Sequence, residues 1–127
     1  MIPLSIDGEQ ATRFLNSLCS LDADRVNEQL SEDARLSIRR RLLAAGKPKI
    51  IKALKRGISS LNWLHYEPAV IWMKGNVSVI EADVSCERLD GSRDTFPVTL
   101  ILCFRDHLIS DIRLFTYEPA VLGSFLH

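Results

Sequence analysis

Long stretches in the C-terminal half alternate apolar and polar residues, and this period of two constrains the fold more than any other feature. VSVIEADVSCER sets Ile80, Ala82, Val84 and Cys86 against Glu81, Asp83, Ser85 and Glu87, the pattern of a strand with one buried and one polar face. DTFPVTLILCFR is different. Phe96, Val98, Leu100, Leu102 and Phe104 share one face, while the opposite set includes Pro97, Thr99, Ile101 and Cys103. A strand apolar on both faces needs cover on both. Turn signals at KGN (Lys74 to Asn76), LDGS (Leu89 to Ser92) and RDH (Arg105 to His107) divide this half into four strands, which read as an antiparallel meander.

The preceding half changes period. GEQATRFLNSLCSLD spaces Ala11, Phe14, Leu15, Leu18 and Cys19 as one helical face. DADRVNEQL offers Asp22 or Asp24 as a cap and sets Val26 and Leu30 one turn apart, a short second helix. ARLSIRRRLL alternates Leu36 and Ile38 with Arg35, Ser37 and Arg39, as in a strand or hairpin, before AAG interrupts it. In KPKIIKALKRGISSLNWL, Ile50, Ile51, Leu54, Ile58 and Leu61 form one helical face, and Pro48 suits the first turn. All three helices then cover one side of the sheet. The simplest cover for the other side is a second copy of the chain, so a homodimer through the outer sheet face is expected.

The 127 residues fit one α+β domain, 1–127. No apolar run approaches the roughly 18 residues of a membrane span, and MIPLSIDGEQ lacks the pattern of a secretory signal, so the cytoplasm is the expected location. Cys19, Cys86 and Cys103 sit in apolar patterns without metal spacing and read as buried, reduced thiols. No two His or Cys residues share an element at ligand spacing, and no GxGxxG or GxxxxGKS segment occurs. No metal and no cofactor is therefore expected. Net charge is zero, yet nine Lys or Arg and no acid fall between Ala34 and Tyr66. That stretch, 35–56, raises an anion- or nucleic-acid-binding alternative through Arg39 to Arg41 and Lys49 to Arg56, which the absence of interleaved exposed aromatics disfavours.

The order of these segments resembles the nuclear transport factor 2-like superfamily, and the SnoaL-like (ketosteroid isomerase-like) group in particular. The likeness is carried by FLNSLCSLDADRVNEQLSEDARL, the AAGKPKIIKAL entry into the third helix, the hairpin RLDGSRDTFP and the last strand LISDIRLFTYEPAVL. It implies a cone-shaped curved antiparallel sheet packed against three N-terminal helices, a cystatin-like roll enclosing an apolar pocket for a small organic molecule. The isomerase's tyrosine, base and second acid would fall near Phe14, near Ile38 and near Leu100 to Leu102, all apolar here, so that mechanism is not expected. The limonene epoxide hydrolase pattern of Asp, Arg and Asp is also broken, since VIEADVSCER has Glu81 and Asp83 with no arginine between them.

The remaining catalytic candidates are Asp83, Asp111, Arg113 and His65. Asp111 and Arg113 lie two apart and face the same way, but Asp83 is on the polar face, where a surface ion pair would look the same. Trp63, Tyr66, Trp72 and Tyr117 could form an aromatic mouth, or could be simple packing. With Phe14, Ile38 and Leu100 they make up the expected pocket set. Two readings stay open: a cofactor-independent isomerase, cyclase, dehydratase or hydrolase, and a non-catalytic dimeric ligand-binding or protein-interaction module. The pentapeptide YEPAV occurs at Tyr66 to Val70 and at Tyr117 to Val121 in unlike flanks, LNWLH and RLFT. It reads as local chemistry in which proline ends sheet pairing, not as a duplicated unit.

Overall fold

A computed structural model describes residues 6–116, with side chains from residue 9 onward. Two helices, α1 (Ile6–Cys19) and α2 (Ala23–Asn27), lead into the hairpin β1 (Leu30–Ile38) and β2 (Arg41–Ala45). The third helix, α3 (Lys47–Ile58), precedes four long strands, β3 (Leu61–Lys74), β4 (Val77–Arg88), β5 (Arg93–Arg105) and β6 (Leu108–Thr116). They form one curved, open six-stranded sheet in the order β2-β1-β6-β5-β4-β3. This is the α+β architecture anticipated from the periodicities.

Local chemistry accounts for the boundaries. Asp22 caps α2, its Oδ1 accepting from the backbone N–H of Asp24 at 3.0 Å, which satisfies one of the first-turn donors. α3 has no side-chain cap; Gly46 precedes it at φ 93°, a conformation that glycine adopts without the penalty a side chain would add. Its N–H donates to the Ala34 carbonyl at 2.8 Å, tying the start of α3 to β1. The β1–β2 turn places Arg39 and Arg40 at φ 52° and 69°, the left-handed pair of a tight hairpin turn, filled here by two residues that seldom adopt it.

Leu30 and Leu61, read from the sequence as helical, instead open β1 and β3, and two larger features also depart from the sequence reading. β1 pairs with β6 in parallel, Leu36 opposite Ile112 and Ile38 opposite Leu114, so the sheet is mixed and not wholly antiparallel. Direction between strands so far apart in sequence is set by packing, not by a turn. Pro68 does not end pairing either. It sits inside β3 opposite Ala82, with a register shift between Pro68 and Val70. β3 is an edge strand, where a missing N–H costs no ladder partner. The second YEPAV lies outside the described residues.

The core sits between the inner sheet face and the helices. Phe14 from α1, Ile50 from α3, Ile80 from β4, Leu102 from β5 and Ile109 from β6 are almost wholly buried. Small residues at Ala11, Ala34, Ala44 and Ala82 let helices and sheet approach closely. Leu102→Ala is expected to cost about 2–5 kcal/mol, the usual range for emptying a buried leucine site, whereas Glu81→Ala on the exposed face should change stability by about 0.5 kcal/mol or less. Urea unfolding of the two variants checks the contrast.

Candidate functional site

Strand parity decides which side chains meet. On β4 the even-numbered residues from Ser78 to Arg88 face the helices, and the odd-numbered ones face away. The inward set, with its neighbours on β5, β6 and β1, leaves a cavity of about 140 Å³. Its walls include Phe14 and Leu18 of α1, Leu54 and Ile58 of α3, Leu36 and Ile38 of β1, and Val98 and Leu100 of β5. Among the described residues lining it, Arg88 alone is charged.

The expected pocket residues divide. Phe14, Ile38 and Leu100 are in the cavity wall. Tyr66 is half-buried beside α1, its hydroxyl 2.7 Å from Asn16 Oδ1, and does not line the cavity. Burial raises the Tyr66 pKa, with the Cys19 thiol adding to the shift. Trp63 and Trp72 are exposed, at 36% and 52%, on the outer face, because the β3 register sets Trp72 opposite Val79 and Trp63 opposite Glu87. Tyr117 lies outside the described residues.

The acid–base candidates all stand on that outer face. Asp83 is exposed, opposite Glu67 and Pro97 in the ladder. Asp111 accepts from Arg113 Nε at 2.9 Å, a bond that holds the guanidinium charged and raises its pKa. His65 is exposed, 3.8 Å from Glu67 Oε1. None of the four reaches the cavity, since each has the parity of the residues that point away from the helices. The nine cations of 35–56 are also mostly at the surface, with Lys49, Lys52, Lys55 and Arg56 on the solvent side of α3. Among the described residues, no group of three or more His, Cys, Asp or Glu could hold a metal ion, and no helix is long and apolar enough to cross a membrane.

Arg88 is the residue that the candidate set missed. The signal was present: continuing the alternation Ile80, Ala82, Val84, Cys86 by two puts a cation on the apolar face. Its Nη1 bonds Asp94 Oδ2 at 2.5 Å and approaches Ser92 Oγ at 3.5 Å. Asp94 therefore raises the Arg88 pKa and holds it charged. Nη2 is buried and has no hydrogen-bond partner among the described residues. The β4–β5 turn fixes this arm, with Ser92 donating its N–H and hydroxyl to Asp90 Oδ1 at 2.9 and 2.6 Å. On the other face, Arg93 bonds Glu87 Oε1 at 2.9 Å and lies 5.8 Å from the centre of the Trp63 ring.

Solved structures share this arrangement of strands and helices. A SnoaL-like polyketide cyclase candidate from a Jannaschia species superposes with a TM-score of 0.81 at 15% identity, covering 99% of this chain and 96% of its own. The fold is nuclear transport factor 2-like. An LEH-like epoxide hydrolase from M. tuberculosis shares the nuclear transport factor 2-like fold at TM-score 0.78 and 18% identity, covering 98% and 92% of the two chains. A protein of unknown function from Burkholderia pseudomallei gives 0.81 at 11% identity, covering 97% and 99%. At these identities the likeness is one of fold. No protein-family model and no curated protein matches the sequence.

All three cysteines are thiols and not disulfides; Cys86 is buried, whereas Cys19 and Cys103 are partly exposed. Burial pushes the Cys19 thiol up to about 11. Alkylation of Cys19 by iodoacetamide at pH 8 should then run roughly a hundredfold slower in the folded protein than in urea, since only the thiolate reacts. Mass spectrometry of the Cys19 peptide over time measures the ratio.

Proposed function

We propose that this chain is a binding module whose cone holds one small, largely apolar molecule. The observation that carries the reading is the cavity itself, walled by Phe14, Leu36, Leu54, Val98, Leu100 and their apolar neighbours. Largely apolar voids of about 150 Å³ accept molecules of benzene size, so a one-ring molecule matches the space. Cyclase or hydrolase chemistry, suggested by the names of two structural neighbours, like the isomerase and dehydratase alternatives, needs at least two polar groups converging on the substrate. Among the described residues, Arg88 alone offers a charged group there, and Asp83, Asp111, Arg113 and His65 face the other way. That favours binding over turnover. Titration with ethylbenzene, followed by amide shifts, should move signals of Leu36, Val98 and Leu100, and Leu100→Trp should abolish the effect by filling the void. Shifts confined to the outer face would overturn the reading.

The outer face supports a second element, association of two copies. Trp72, Val79 and Ile101 form one cross-strand row, partly or largely exposed. On one side stand Glu67, Glu81 and Asp83 of β3 and β4; on the other stand Arg35 of β1 and Arg113 of β6, the latter already paired with Asp111, beside a groove that also includes Arg40 and Phe115. A two-fold axis along β5 would lay the acids of one copy over the arginines of the other and cover the tryptophan row, a self-complementary contact. Trp72→Glu should convert a dimer to a folded monomer in analytical ultracentrifugation. A wild-type monomer at micromolar concentration would sink this element and leave the cone untouched.

A further inference from the structure

Among the described residues, one guanidinium nitrogen, Arg88 Nη2, is buried at the apolar site with no hydrogen-bond partner. A buried donor without an acceptor is costly, more so when it belongs to a charged group. Arg88 occurs at the end of β4, where its ladder partner is Leu61 of β3 and where Ile58 of α3 and Phe96 of β5 also line the cavity. Its Nη1 is taken by Asp94, and its Nη2 is buried and unpartnered among the described residues. Apart from the weak sulfur group of Cys86, the other lining side chains are hydrocarbon. Arg88 is thus the one strong donor among the described residues that line this space.

Resting on the binding reading above, we propose that Arg88 selects one-ring molecules carrying a single uncharged acceptor oxygen, such as a carbonyl, and that Asp94 makes the site reject carboxylates. The charge argument decides between the two ligand types. Arg88 and Asp94 are joined at 2.5 Å, so the pair has no net charge while its second nitrogen remains a polarised donor. A neutral oxygen gains that hydrogen bond and brings no charge out of water. A carboxylate would be desolvated in the apolar cavity and repelled by the Asp94 anion, a repulsion that solvent screens only in part because the Asp94 side chain is 35% exposed. The remaining atoms of the ligand lie against Leu54, Val98 and Leu100, where further polar groups would find no partner.

Three ligands of similar shape separate these claims: acetophenone, ethylbenzene and benzoate, titrated against the wild-type protein with amide and arginine Nε–H signals observed. Acetophenone should bind at least about tenfold more tightly than ethylbenzene, the usual worth of a hydrogen bond to a charged group, and should alone move the Arg88 Nε–H signal strongly. Benzoate should bind more weakly than acetophenone. In Arg88→Met the ketone's advantage should vanish while ethylbenzene binding persists. In Asp94→Asn benzoate should gain about tenfold, with ethylbenzene unchanged. Equal affinity of ketone and hydrocarbon for the wild type, or a preference that survives Arg88→Met, overturns the selection by Arg88 and leaves the apolar cone standing. Benzoate binding more tightly than acetophenone overturns the exclusion of anions. If none of the three binds, the cone reading itself fails, a result distinct from both. Should Arg88→Met not fold, the wild-type series and the Arg88 signal decide, an identical shift with ketone and hydrocarbon counting against the proposal.

Discussion

The inward face of β5 is the constraint on which the rest of the molecule depends. Phe96, Leu100, Leu102 and Phe104 are all buried there, and because side chains alternate strictly along a strand, a slip of one residue would turn this whole set toward solvent. β4 and β6 are registered to β5 on either side, Ile80 opposite Leu100 and Leu102 opposite Ile112. Once these three strands are aligned, the inner surface is apolar across its width. α1 and α3 then have one place to bury Phe14 and Ile50.

Parity also separates two kinds of chemistry. Inward positions hold mostly hydrocarbon, with Ser78, Thr116 and the Arg88–Asp94 pair as polar exceptions. Outward positions hold the ion pairs Arg113–Asp111 and Arg93–Glu87 and the acids Glu81 and Asp83. The Arg93 bond is the first cause of the lowered Glu87 pKa, but the pair is exposed enough that it organises the hairpin more than it stabilises the fold. Arg88 and Asp94 on the opposite face of the same hairpin are better shielded. A single turn, Leu89 to Ser92, thereby positions one ion pair for solvent and one for the cone.

The sheet's two edges are managed differently. β2 is short, at five residues. β3 is long, at fourteen, but has Pro68 and a register shift near its middle and ends in Lys74. Proline, bulges and charge all discourage unwanted strand addition. A face-to-face association through Trp72, Val79 and Ile101 needs no free edge, so edge protection and the proposed dimer are compatible.

The sequence by itself determined the kind and order of the elements and the faces of α1, α3, β4 and β5, because periods of two and 3.6 and the turn residues at Gly75, Gly91 and Asp106–His107 act over a few residues. It placed Phe14, Ile38 and Leu100 on the inner surfaces and, by simple continuation of the β4 alternation, held the clue to Arg88. Tertiary structure alone decided three things: the parallel pairing of β1 with β6, the assignment of Trp63 and Trp72 to the outer face, and the void left between helices and sheet. Each depends on contacts between segments distant in the chain, where register and bulges shift side chains between faces and packing volumes either close a gap or leave one. That Arg88 Nη2 has no partner among the described residues belongs to the same class, since a buried donor is satisfied or orphaned only by what the folded chain brings beside it.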